Sequence, residues 1–346
     1  MYTIKSVLSN AEVDEIDVLY KQLKNVSVMQ HPLWPDNLNK NQTVTFLLKT
    51  EDGKIVLSAK VIESKLRRSP FIKYAYIFYG PLSDNPGDIA GALEYLAEYY
   101  SKQKFAGFSA QLTCTLSQAQ FVEHTILKCG QSFFYGPHEG FKVVVAVPLH
   151  DDIEKIYNSF SAVLKRNINT ALKTKISVQA ITSKDEFEKF PPIYAKMEAA
   201  RGISLHSHKQ LSDIFEFITT TNLGQFLAAY NKNGIMVGGM FLLKEGNKIE
   251  YLIGGTDPEY KNLQQSHLTF YEAIKQAKLD GFEFFDLGGY KFSAKKGDQV
   301  YNINTFKLNF TDNIFFYPHL LNFKTNATRA FIGTSLLRLA NGFSRK

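Results

Sequence analysis

Two cysteines, Cys114 and Cys129, are all that the 346 residues contain, and they stand in no C-x-x-C or C-x-x-H spacing. A disulfide framework and a zinc site are therefore not expected. No run of about 18 apolar residues is present, so no bilayer span is expected. The start, Met1-Tyr-Thr-Ile-Lys-Ser6, lacks the basic lead and apolar stretch of a secretory signal. The expected location is cytoplasmic. Glycine-rich phosphate loops and activated-nucleophile motifs are also missing, which removes the commonest routes to phosphoryl transfer and covalent catalysis. No metal and no cofactor are expected, and DNA is not among the expected partners.

The composition that remains is that of a folded chain, 45% hydrophobic and 21% charged, beyond the range of disorder. Its length exceeds one ordinary core, so two domains are expected. Aromatics make up 14%, with 28 Phe and 18 Tyr, which suits sheets whose large rings fill the space under covering helices. The formal charge of +7 favours encounter with anions. Sugar nucleotides, RNA and an acidic membrane surface all satisfy it, and so does plain solubility.

Periodicity gives the element order. Val13, Ile16, Leu19, Tyr20 and Leu23 recur at helical spacing behind a cap at Ser9 or Asn10. Strands are expected over 43–49, 54–62 and 72–79, a helix over 88–103, and further strands over 107–113 and 142–148 closing the first half. The second half opens with one long helix marked by Ile153, Ile156, Tyr157, Phe160, Val163, Leu164 and Ile168. A strand at 176–181 and helices at 184–199 and 208–221 follow. Strands at 225–230, 235–243 and 248–255 then make a meander joined by turns at Asn233-Gly234 and Gly246-Asn247. A helix at 264–280 leads to a strand at 282–287. Near the C-terminus Ile332, Leu336, Leu339 and Phe343 form a single apolar stripe, with Arg338 and Arg345 away from it.

Strand, two helices, three-strand meander, helix, strand is the order of the GNAT acyltransferases. The run Tyr251-Leu-Ile-Gly-Gly-Thr-Asp-Pro-Glu-Tyr260, the strand ending Phe285-Asp-Leu-Gly-Gly289 and the late pair Phe306-Lys307 resemble the Fem family within that superfamily, the aminoacyltransferases that build peptidoglycan bridges. The first half resembles it more thinly, through His31-Pro-Leu-Trp34 and Ile77-Phe-Tyr-Gly-Pro-Leu82, with Tyr79 where the family has arginine. The resemblance implies an α/β (α+β) fold of two GNAT-like domains, each a mixed, mostly antiparallel sheet flanked by helices. A degenerate, acceptor-side domain would occupy 1–150 and a catalytic, donor-side domain 151–320. A C-terminal helical extension would occupy 321–346. Duplication is implied by the family alone, since no residue-level repeat links the halves.

The same resemblance implies site residues. Lys307 is the catalytic candidate, a fixed cation that stabilises the oxyanion formed when an amine attacks an aminoacyl ester. Its pair is expected on a strand, and an exposed-strand lysine is the alternative. Phe306 and Tyr251 would line the aminoacyl site beside it, and Tyr290 follows Gly288-Gly289 at a strand end. Both tyrosines read equally as core residues. Arg201 matches the family's arginine, placed to clasp a phosphate or carboxylate, or else serves as an ordinary cation before a Gly202 cap. Lys165 and Arg166 head a basic helix that either holds phosphates or faces solvent. His206 and His208 are read as loop residues.

One absence separates the branches. GNAT enzymes that use acetyl-CoA carry a glycine-lined turn before the helix that follows the meander, where backbone N–H groups grip the pyrophosphate. Tyr260-Lys-Asn-Leu-Gln-Gln-Ser-His-Leu268 has no glycine, and Leu263 and Gln264 are not residues that favour such a backbone. The implied activity is therefore transfer of an aminoacyl group from aminoacyl-tRNA to an amine of a cell-wall precursor. The alternatives are N-acylation of an amino sugar in surface polysaccharide synthesis, from CoA or another carrier, and a non-catalytic binding protein on a GNAT scaffold. Peripheral membrane contact through 326–346 is a further expectation, set against packing of that stripe on the protein itself.

Overall fold

A computed structural model describes residues 1–66, 69–135, 143–326 and 328–329. The chain divides into two units, residues 1–142 with 317–346, and residues 143–316.

In the first unit the strands are β1 (Tyr2–Lys5), β2 (Gln42–Glu51), β3 (Lys54–Leu66), β4 (Ser69–Ile77), β5 (Gly107–Gln111) and β6 (Phe133–Tyr135). Asp52 and Gly53, both at positive φ, turn β2 back onto β3. β1 to β4 pair antiparallel in succession, and β4 then pairs parallel with β5. The crossover is helix α2 (Pro86–Lys102), capped by Asn85 and started by Pro86. Helices α1 (Asn10–Gln22) and α3 (Leu116–Lys128) each begin with a capping box, on Ser9 and Thr115. Leu47, Leu57, Ala59, Val61, Ala75 and Ile77 project from one sheet face onto Leu93, Leu96 and Tyr100 of α2, which builds the core.

Under the other face lies a residue that sequence periodicity passes over. Lys60, 2% exposed, lies at hydrogen-bond distance of the Asp36 carboxylate, 2.5 Å away. It donates to the carbonyls of His31 and Trp34 at 3.2 and 3.3 Å. Burial pulls its pKa down, and Asp36 opposes that. The His31–Trp34 loop is thus tied down by a buried ammonium on a strand.

The second unit comprises β7 (Val143–Pro148), β8 (Ser177–Ile181), β9 (Gly224–Tyr230), β10 (Met236–Glu245), β11 (Lys248–Thr256), β12 (Phe284–Gly289) and β13 (Ile314–Phe316). Its helices are α4 (Ile153–Ser159), α5 (Ala162–Lys173), α6 (Lys184–Phe187), α7 (Phe190–Arg201), α8 (His208–Thr221), α9 (Gln265–Leu279) and α10 (Gln299–Leu308). β8 to β11 form an antiparallel meander, and β11 pairs parallel with β12 across α9. Meander, helix, parallel strand is also the order of the first unit, so the topology repeats where the residues do not. The last strand, β14 (Leu320–Phe323), inserts between β5 and β6. Each sheet is therefore seven-stranded, mixed and mostly antiparallel, with helices packed against it.

Several expectations are revised. The strand over 142–148 does not close the first half, because Val143–Pro148 pairs with β12 and β13 in the second sheet. Residues 320–323 return to the first sheet instead of opening a helical extension. The long helix from Ile153 breaks at Ser161, whose hydroxyl accepts the N–H of Leu164 and starts α5 afresh. The helix over 184–199 is interrupted ahead of Pro191, which begins a new helix well and continues an old one badly. The stripe from Ile332 to Phe343 lies outside the described residues.

Candidate active site

The register of β11 and β12 creates the site. Their parallel pairing runs only from Lys248–Phe284 to Glu250–Asp286. Beyond it β11 continues to Thr256 and β12 to Gly289 with no further register between them. At the point of separation Lys248 pairs with Glu245 at 2.7 Å, Glu250 at 2.8 Å and Asp286 at 3.5 Å. Asp286, wholly buried, accepts the N–H of Gly288 at 2.7 Å. Gly288 takes φ +84°, and a Cβ there would stand 3.5 Å from Lys307 Nζ. The glycine therefore supplies the left-handed turn beside the ammonium.

Lys307 fills that position from α10, so the Phe306-Lys307 pair lies on a helix and not on the strand expected. The reason is visible in the spacing. Gln299, Asn302, Ile303 and Phe306 recur at i, i+3, i+4 and i+7 and all face one cavity. Lys307 is 9% exposed and donates to the Gly289 carbonyl at 2.6 Å. Burial pulls its pKa down to about 8, against the pull of Asp286 and Glu250. At neutral pH it remains mostly protonated. Asn304, buried one turn earlier, donates to the Lys291 carbonyl at 2.8 Å and so fixes the loop leading into α10.

The cavity holds about 450 Å³ and is lined from β10 by Gly239 and Met240 and from β11 by Tyr251, Gly254, Gly255 and Thr256. α9 adds Ser266, Thr269 and Phe270, α10 adds Gln299, Asn302, Ile303, Phe306 and Lys307, and α7 ends in Arg201. The rings of Tyr251 and Phe306 lie 4.8 and 5.4 Å from that of Phe270. Burial pushes Tyr251 up to about 12, although Arg201 draws it down. Tyr194 is likewise pushed up to about 12, by burial first and by Glu198 next. Both phenols are therefore hydrogen-bond donors at neutral pH, not bases. Arg201 is the last residue of α7, and the buried Glu198 on the same helix accepts the N–H groups of Leu205 and His206 and so holds the turn that follows. Behind Gly255, Tyr194 of α7 packs so closely that a Cβ would meet its Cδ2 at 2.9 Å.

Of the expected site residues, the structure brings Tyr251, Arg201, Phe306 and Lys307 to this cavity. Lys165, Arg166 and Tyr290 do not line it. Leu164, Ile168 and Ala171 turn α5 inward, which leaves Arg166 exposed, and Lys165 folds back onto the Asn158 carbonyl at 3.0 Å. Tyr290 packs edge-on against Phe292. His206 meets the Tyr194 hydroxyl at 3.0 Å and His208 meets Glu188 at 2.7 Å. Met240, Ser266, Thr269, Gln299, Asn302 and Ile303 were missed. Only the α10 set carried a usable signal, its helical spacing.

No carboxylate and no histidine is among the described lining residues, and the lining cations are Arg201 and Lys307. Such a cavity attracts an anion and favours negative charge that develops near Lys307, but offers no side-chain base. No group of three or more His, Cys, Asp or Glu residues able to hold a metal ion occurs among the described residues.

A family model described as an acetyltransferase (GNAT) domain matches residues 158–301, which include most of the cavity. The lipid II:glycine glycyltransferase of Staphylococcus haemolyticus is 32% identical to the chain over 81 residues, 23% of this chain and 19% of the relative. The same-named protein of Staphylococcus epidermidis is 31% identical over 102 residues, 28% and 24% of the two chains. Residues 158–301 are thus similar to a GNAT acyltransferase domain, and the local likeness is to lipid II:glycine glycyltransferases. The matched stretch spans about a fifth to a quarter of those relatives' own length. The crystal structure of FemX shares the fold across 92% of this chain and 96% of its own, with a TM-score of 0.76 at 14% identity.

The turn before α9 departs from the sequence expectation. Gln264 does adopt the left-handed conformation, φ 57°, at the start of α9. The backbone makes the turn without glycine, so any obstacle to a pyrophosphate there lies in side chains and not in the backbone.

Proposed function

We propose that the protein transfers an aminoacyl group from aminoacyl-tRNA to an amine of a peptidoglycan precursor. The observation that carries this reading is the pairing in one cavity of a buried lysine with an arginine and no carboxylate. Transfer from an ester already activated needs no enzymic nucleophile and no strong base. The amine nitrogen attacks the ester carbonyl, forming a C–N bond and a tetrahedral oxyanion. Lys307, charged and poorly hydrated, stabilises that oxyanion. The C–O bond then breaks, and the proton lost by nitrogen ends on the departing ribose oxygen. Tyr251, Phe306 and Phe270 give the aminoacyl portion an apolar wall, and Arg201 meets a phosphate or carboxylate of either substrate. The names of the staphylococcal relatives support lipid II as acceptor and glycine as the transferred residue.

The test is transfer of labelled glycine from glycyl-tRNA to lipid II by the purified protein. Label appearing in the precursor, and lost with Lys307→Ala, supports the reading. Absence of transfer, together with acylation of an amino sugar from an acyl-CoA, would replace it with the polysaccharide reading. The left-handed Gln264 at the α9 N-terminus is the observation that keeps that second reading open.

A further inference from the structure

Beside the cavity, the loop from β12 to α10 carries exposed apolar and basic side chains whose combination the proposed chemistry does not require. Phe292 is 62% exposed, and Val300, Tyr301 and Ile303 at the start of α10 are 38%, 37% and 41% exposed. Lys291, Lys295 and Lys296 are exposed on the same loop, and none of them forms an ion pair among the described residues. The nearest acid in sequence, Asp298, is engaged in accepting the Lys295 N–H at 2.8 Å.

The loop is also held in shape. Asn304 grips Lys291 through its carbonyl, at 2.8 Å, and through its N–H. Backbone bonds close successive turns from Ala294 to Lys291 and from Asp298 to Lys295. Phe292 itself rests with its ring centroid 5.0 Å from that of Tyr290 and stacks 6.0 Å from that of Phe316, which leaves its outer face exposed. A fixed apolar tip set among lysines is the arrangement that enters the headgroup region of a bilayer, with rings and aliphatic chains below and ammonium groups at the phosphates.

We propose that this loop and the first turn of α10 dock on an anionic lipid surface. RNA would satisfy the lysines and stack on Phe292, but nucleobases gain little from Val300 and Ile303, whereas a bilayer takes aliphatic and aromatic side chains alike. Ile303 also lines the cavity, so docking brings the cavity mouth to the membrane surface. Only that last consequence rests on the proposed transfer to a lipid-linked acceptor. Lipid binding itself is measured without either substrate.

The experiment is co-sedimentation of the full chain with vesicles of phosphatidylcholine alone and of phosphatidylcholine with phosphatidylglycerol. The wild type is expected to sediment with the anionic vesicles and to be released by salt. K295Q/K296Q should lower partitioning about 30-fold, from roughly 1 kcal/mol for each lysine near the surface. Phe292→Ser should lower it at least about 10-fold. Every substituted side chain is exposed, so unchanged thermal melting is expected and is checked first. Failure of the wild type to sediment, or equal sedimentation of wild type and variants, overturns the proposal. So does loss of oligoribonucleotide binding in the variants with vesicle binding intact. Intact vesicle binding with no glycyl transfer would instead count against the proposed activity alone.

Discussion

Replacing Lys307 should separate activity from stability in opposite directions. Its ammonium sits 9% exposed, with a folded pKa of about 8 against an ordinary 10.5. Keeping it charged at neutral pH therefore costs the fold about 3 kcal/mol. The folded value lies below the unfolded one, so the unfolded chain holds the extra proton between about pH 8 and 10.5. Wild-type stability rises with pH through that window, and the penalty is present in full below it. Lys307→Met removes the penalty but orphans the Gly289 carbonyl, which costs about 1–2 kcal/mol. The variant should be about 1–2 kcal/mol more stable than wild type at pH 7 in urea denaturation, with the advantage gone by about pH 10. Glycyl transfer should meanwhile fall about 10²–10³-fold, the effect of removing one oxyanion donor. Wild-type kcat/KM should decline as pH rises through about 8, where Lys307 loses its proton. Lys307→Arg should restore part of the rate and abolish that alkaline limb, because guanidinium stays charged. Near-normal turnover of the methionine variant, or an alkaline limb unchanged in the arginine variant, would refute the assignment.

Other expectations are quickly checked. Calorimetry with acetyl-CoA should show no sub-micromolar binding, which corresponds to less than about 8 kcal/mol; tighter binding would favour the acyl-CoA reading. Lys60→Met strands the Asp36 carboxylate and should cost about 3–5 kcal/mol in urea denaturation, with much of the loss recovered in K60M/D36L. Equal stability of the two variants would show that the pair is not the cause. Gly255→Ala places a Cβ 2.9 Å from the Tyr194 ring and 3.5 Å from its Cα, so α7 must move, at a cost of about 1–3 kcal/mol. Because α7 carries Arg201, KM should rise as well; a wild-type melting temperature and KM would contradict this packing.

What the sequence determined by itself was local. The meander was legible because β9 to β11 are short, largely apolar runs separated by Asn233-Gly234 and Gly246-Asn247, and turn chemistry acts over a few residues. α8 and α9 were legible because apolar periodicity is also short-range. Tyr251, Arg201, Phe306 and Lys307 were found through resemblance, since no spacing links residues so far apart. Pairing across the chain was decided only by tertiary structure. Val143–Pro148 is an unbroken apolar strand that suits either sheet, and its membership follows from β12 and β13, formed more than a hundred residues later. Residues 299–308 carry the helical period of the cavity face, but their outward residues are mixed, which hid the helix. The lowered pKa of Lys307 was beyond sequence altogether. It comes from burial between β11, β12 and α10, with Asp286 and Glu250 acting against it, and desolvation is a property of what surrounds a residue in space.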